Sequence, residues 1–362
     1  MLNDFQHSFS EIKKYLNSIP ASDDWVDSGA LLDTFDYVSY KFDDHYQRAL
    51  VDLEYIFSDN TDAIYQTEQT VLLLDKWAKS DDPVSIFSVV AAALKYFNFS
   101  SEQGENDTLP TLMAAMLADV PNILDYHNNR HFCKVVLHTI RMIVTHNNIW
   151  PSGQNYLDNS KTSLLIAAAA IHDLGHQGGG NIIDRKYHMA QVERRSYDLV
   201  YPYLNAAGFS EDTLNDMKVM LTTTDVSPFG DPISPVSQMR RAYEFHYGSA
   251  DEMGDHAALM LSDDLSVLAD RSVLCLMCLI LHEADIMNSA AVDYDITCHE
   301  SVSVSRELGL SHALPEGTLL FLERICAGKM LSDSARYLGA ANLAKILQRV
   351  MEDYKSGNKS YM

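Results

Sequence analysis

The chain has 362 residues, 47% of them hydrophobic and 21% charged, with a formal net charge of -23 at pH 7. That length can bury a full core as one large domain or two smaller ones, and the composition is that of an ordinary globular protein. The excess of 50 acidic over 27 basic side chains, with no Lys/Arg cluster, argues against a nucleic-acid polymer as the main ligand. A small phosphate compound stays open, because metal ions can bring the positive charge that the protein lacks.

Along the chain, helical periodicity dominates and strand-like alternation is scarce, so the fold class is all-α. Met1 to Tyr15 is polar and lacks the basic-then-apolar layout of a secretory signal. Residues 1–105 read as an N-terminal helical region, either a subdomain or the first layer of one bundle. Helices are expected over Tyr46 to Phe57 and Thr67 to Lys79, broken near Ser80-Asp81-Asp82-Pro83. This region is where a homodimer contact or a regulatory partner is expected. A polar loop, Ser100 to Pro110, separates it from a second region, 106–350, and residues 351–362 read as a polar tail.

Within the second region, loops are expected at Trp150 to Asn159, Gln177 to Asn181 and Ser227 to Pro235, where Gly, Pro, Asn and Asp collect. The apolar runs Leu164 to Ile171 and Val273 to Leu281 are too short to span a bilayer. Cys275 and Cys278 sit three apart in an apolar helix and read as buried free thiols. A reducing, cytoplasmic compartment fits five cysteines without a paired-spacing metal knuckle, with signal-less export left open.

Three segments carry ligand-type side chains. In Tyr126-His127-Asn128-Asn129-Arg130-His131, Asn128 or Asp125 can serve near a helix N-terminus, and on such a helix the two histidines are one turn apart. One can hold a metal while the other addresses a ligand; the plainer reading is a pair of partly exposed histidines. In the second, a buried Ala/Leu-rich helix ends in His172-Asp173, with His176 one turn on. Burying that dyad is costly unless it is paired or metal-bound; otherwise it is a helix end with a capping Asp and a His on the dipole. The third, Leu281-His282-Glu283-Ala284-Asp285, closes another apolar run with ionisable groups, and Asn288 faces the same way. Three such segments in one chain point to one metal site more readily than to three coincidences.

These segments, with Thr223-Thr224-Asp225, resemble the class I cyclic-nucleotide phosphodiesterase catalytic domain, within the wider HD-type metal-dependent phosphohydrolases, over roughly residues 110–330. The resemblance implies a compact multi-helix bundle with its metal site in a deep pocket between helices. It implies that His131, His172, Asp173 and Asp285 hold a tight metal, usually zinc. Asp173 would bridge to a second ion, magnesium or manganese, whose waters are held by His176, Glu193 and Thr224. His127 would be the general acid that protonates the leaving O3′ of a 3′,5′-cyclic nucleotide such as cAMP or cGMP, with a metal-bridging hydroxide as nucleophile. Tyr126, Asn288, Val226, Thr318 and Phe321 would line the substrate pocket. Alternatives are an HD phosphohydrolase for another phosphorylated nucleotide and a non-catalytic relative serving as a binding or regulatory module.

The chain departs from the family at three places. Gly175 and Lys134 stand where members commonly carry Asp, and Thr318 falls near the glutamine that reads the purine edge. Lys134 bears on metal affinity, one turn from His131. Thr318 leaves base recognition open, since one hydroxyl offers less than an amide.

Overall fold

The computed structural model describes residues 2–22, 25–99, 107–248, 259–357 and 360–361. The elements in order are α1 (Leu2–Ser18), α2 (Ser28–Leu53), α3 (Ala63–Ala78), α4 (Ile86–Tyr96), α5 (Thr108–Ala118), α6 (Asn129–Ile149) and α7 (Asn159–Ile171). A two-stranded hairpin follows, β1 (Ile182–Ile183) against β2 (Lys186–Tyr187), then α8 (Gln191–Ala207), α9 (Glu211–Thr222) and α10 (Pro235–Tyr247). A 3-10 helix over Asp263–Ala269 leads to α11 (Ser272–Ala290), α12 (Tyr294–Glu307), α13 (Pro315–Leu320), a π turn over Phe321–Ile325, and α14 (Asp333–Ser356).

Many helix starts are set locally. Asp27, Asp62, Ser85, Asn128, Asp158, Ser210, Ser234, Asp293 and Ser332 each accept a backbone N–H of the first turn through the side chain. Such a cap is worth about 1 kcal/mol. The centre of the bundle is α5, α6, α7 and α11, with α4 and α8 packed against them. Helix α7 is buried on every side from Thr162 to Ile171, and its four consecutive alanines let α5 and α6 approach closely. Helix α11 is long and apolar enough to cross a membrane by composition, and it lies almost wholly inside the bundle. Among the described residues the cysteines are unpaired, and all but Cys298 are buried.

The N-terminal helices form the first layer of this bundle. Helix α2 packs on α4, α1 on α8, and α3 on α14, and the side chains of this layer belong to the same apolar core as α5, α6 and α11. Phe9 and Phe42 meet Phe87 of α4 at ring separations of 5.0 and 5.6 Å. The break at Ser80–Pro83 is fastened by Asp82, whose carboxylate accepts from Tyr37 Oη and Lys41 Nζ at 3.0 Å each and lies 3.5 Å from Arg48. The Lys41 ammonium, with Tyr37 and His45, lowers the Asp82 pKa to about 2 against the desolvation that would raise it. The folded value lies below the unfolded one, so this contribution is present above the ordinary carboxylate range and fades as pH falls toward about 2. Asp82→Asn should therefore lose about 1 kcal/mol at pH 7, kept small by solvent screening of a half-exposed carboxylate. Thermal unfolding of the two proteins should converge only as pH falls below about 2; an equal gap at every pH would contradict this.

Several expectations shift. The expected 46–57 helix is the end of a longer α2 that stops at Leu53, after which Phe57 turns back to stack on Tyr96 at 4.5 Å. The 67–79 helix starts earlier, at the Asp62 cap. Of the loop 100–110, residues 100–106 lie outside the described residues, and so does the 105/106 boundary. Pro110 belongs to the first turn of α5, where its missing N–H costs nothing. Of the stretch 351–362, residues up to Ser356 continue α14, and Tyr361 is buried with its N–H on the Ala313 carbonyl; 358, 359 and 362 lie outside the described residues.

Candidate metal centre

Four side chains from three helices converge. His131 sits in the first turn of α6, where Asn128 Oδ1 accepts its N–H at 3.2 Å. His172 caps the C-terminus of α7, with Asp173 in the turn beyond, and His172 Nδ1 donates to the Ala169 carbonyl at 2.9 Å. That bond puts the ring's free nitrogen, Nε2, toward the cluster. Asp285 comes from α11, and here the structure corrects the sequence reading. The apolar helix does not finish at the ionisable groups but runs on to Ala290, so Asp285 is set in its interior. A helix interior holds a carboxylate more rigidly than a fraying end.

The ligand atoms lie within 4.8 Å of one another. His131 Nε2 is 3.2 Å from His172 Nε2, 3.5 Å from Asp173 Oδ2 and 3.2 Å from Asp285 Oδ1. His172 Nε2 is 3.0 Å from Asp173 Oδ2 and 3.6 Å from Asp285 Oδ1. Donors about 2.0–2.2 Å from a common tetrahedral centre stand about 3.3–3.6 Å apart, so two imidazoles and two carboxylates fit one divalent ion. The electrostatics agree. Burial disfavours a charged His172, yet Asp173 and Asp285 outweigh it and hold its pKa well above the ordinary value; His131 is raised in the same way. Both carboxylates are held well below their usual range by the imidazoles, although burial opposes this. The cluster thus demands positive charge, and an incoming cation would displace protons.

A second group adjoins it: His127, His176 and Glu307. His127 is not on α6, as the spacing suggested, but precedes the Asn128 cap. Its ring reaches the site all the same, stacking on His176 with centroids 3.9 Å apart and placing Nε2 3.8 Å from Asp173 Oδ2. Glu307, at the end of α12, grips it from behind. One carboxylate oxygen accepts the N–H groups of Tyr126 and His127 at 3.0 Å each, and the other meets His127 Nδ1 at 2.5 Å. Sequence reasoning missed Glu307, which lies 180 residues away on a polar helix with no motif around it. Tyr126 packs its ring over His131 at 4.6 Å and pairs its hydroxyl with Ser289 at 3.1 Å.

Glu193 is buried in the first turn of α8 and accepts from Asn181 Nδ2 at 2.9 Å. Burial first, and then the neighbouring Asp225, push its pKa up to about 8, with Asp173 adding to the rise. A cation beside these carboxylates would relieve that cost. His176 is pushed down to about 4 by burial and by His127, and its Nδ1 accepts from Gly178 N. Its proton is therefore on Nε2 when neutral. Thr224 is buried and spends its hydroxyl proton on the Leu221 carbonyl, leaving lone pairs.

The expected base-recognition residues are less gathered. Thr318 is buried, with its hydroxyl on Ser301 Oγ at 3.0 Å and near the Leu314 carbonyl. Asn288 is buried on α11, three residues past Asp285 and next to His138. Val226 and Phe321 are half-buried, Phe321 opening the π turn. Among the described residues no hydrogen bond or ion pair joins these four to the metal ligands.

The two remaining departures have physical causes. Gly175 has φ +73°, a left-handed conformation that strains an L side chain, and a Cβ there would come 2.4 Å from Leu199 Cδ1, which would have to move. Lys134 turns away from His131 to an ion pair with Glu300 at 2.6 Å, on the wall of a cleft of about 340 Å³ shared with Tyr37, Trp77 and Tyr126.

No protein-family model matches the chain, and no curated protein matches it. Among solved structures it is similar to the phosphodiesterase domain of the RhoPDE fusion protein from the choanoflagellate Salpingoeca rosetta, with a TM-score of 0.50 and 15% identity. The match covers 82% of this chain and 100% of that one. At that identity the likeness is one of fold: the chain has the all-α fold of a phosphodiesterase catalytic domain.

Proposed function

We propose that this protein is a metal-dependent phosphodiesterase that opens a 3′,5′-cyclic nucleotide to the 5′-monophosphate. The observation that carries this reading is the placement of His127, backed by Glu307, beside a two-imidazole, two-carboxylate cluster. His131, His172, Asp173 and Asp285 would hold a tight ion, zinc by the nitrogen share of the donor set. Asp173 would also reach a second ion, magnesium or manganese, with His176, Glu193 and Thr224 around it through water. When bound, such ions supply a water acidic enough to attack at neutral pH and neutralise the phosphate's charge.

The chain's own residues do the rest. With Nδ1 held by Glu307, His127 turns Nε2 toward Asp173 and the cluster. A proton at that atom can pass to the departing O3′, a poor leaving group without it. Tyr126 braces the rings of His127 and His131 from one side. His176, kept neutral by burial, stacks on His127 without competing for its proton.

The test is to incubate the protein, loaded with zinc and with magnesium or manganese, with cAMP and cGMP and to separate the products. Formation of 5′-AMP or 5′-GMP that stops on chelation is expected. No turnover of either with both metals present would overturn the cyclic-nucleotide reading. Hydrolysis of bis(p-nitrophenyl) phosphate alone would favour the second reading, another phosphorylated nucleotide, which the engagement of Thr318 by Ser301 supports.

A further inference from the structure

Arg141, on α6 ten residues beyond His131, is one of the largest fully enclosed side chains in the protein, 2% exposed. Its Nη1 donates to His138 Nδ1 at 3.1 Å. Among the described residues neither Nε nor Nη2 has an acceptor, and no carboxylate forms an ion pair with this guanidinium. These two N–H groups lie on one edge of a planar fork, the edge that takes a two-point acceptor. Its neighbours are not anions. His138 is uncharged, since burial and Arg141 itself push its pKa well below the usual value. Tyr55 spends its phenolic proton on Thr70 Oγ1 at 2.8 Å, because the Thr70 proton goes to the Gln66 carbonyl. Burial lowers the Arg141 pKa, but a guanidinium stays charged at any practical pH. An enclosed cation with no counter-charge is costly.

We propose that a monovalent anion of the chloride type binds inside the bundle on the Nε–Nη2 edge of Arg141. The site is separate from the metal centre and acts on stability: it neutralises the helix that carries His131 at its other end.

The direct test is a crystal of the intact protein in which chloride is replaced by bromide, with data collected at the bromine edge. An anomalous peak about 3.3 Å from both Nε and Nη2 is expected. A water without anomalous signal, or a protein carbonyl on that edge, would overturn the proposal. In solution, the unfolding midpoint should be about 2 °C higher in sodium chloride than in sodium gluconate at equal ionic strength. Arg141→Met, which removes the charge and keeps the length, should abolish the difference, and Arg141→Lys should reduce it. The same chloride increment in Arg141→Met would sink the idea. Should that variant fail to fold, the bromide map of the unaltered protein decides alone.

Discussion

Asp173→Ala should lose the tightly held metal and at least about 10³-fold in kcat, the largest single effect expected in this chain. The carboxylate lies 3.0 Å from His172, 3.5 Å from His131 and 3.8 Å from His127, so its removal strips the cluster of its shared acceptor. What remains is two imidazoles and one carboxylate. The measurement is metals per chain by elemental analysis, beside the rate of cyclic-nucleotide hydrolysis. A variant that keeps its full metal content, or its rate, would show that Asp173 is a helix-end carboxylate and not a ligand. Metal loading of the unaltered protein should also release protons, because the apo cluster raises the pKa of both histidines.

His127→Ala should behave in the opposite sense, retaining the metal and losing about 10²–10⁴ in rate. Glu307→Ala tests the arrangement behind it. If Glu307 acts only by orienting His127, the double variant should be no slower than His127→Ala alone, since each change disables the same unit. Additive losses would mean that Glu307 has a separate task. A substrate whose leaving group needs no proton, such as p-nitrophenolate, should be far less sensitive to both substitutions. Equal sensitivity would remove His127 from the acid role.

The four side chains of the candidate metal cluster were legible because each is tied to a local signal. Asn128 marks the start of α6, so His131 falls in its first turn, and the alanine run of α7 ends at His172-Asp173. Asp285 was found for a reason that the fold corrects: it lies within α11, and the drop in hydropathy after Leu281 does not mark a helix end. Glu307 was illegible, because nothing near residue 307 signals a role and its partner is 180 residues away. The residues expected to read the base were named by position alone. Burial and side-chain pairing decide such contacts, and here they turn the Thr318 hydroxyl toward Ser301.

The position of His127 before the Asn128 cap, held at backbone and ring by one distant carboxylate, has an effect on assembly. All four residues of the candidate cluster are present once the chain has been built as far as α11, whereas the carboxylate that holds His127 arrives only with the last residue of α12. If the proposed function holds, metal capture and turnover would be separable in order of synthesis. A chain that ends between Ala290 and Glu307 would own every ligand of the tight ion and still lack a directed acid. On the proposed reading, proton delivery would report that α12 has docked.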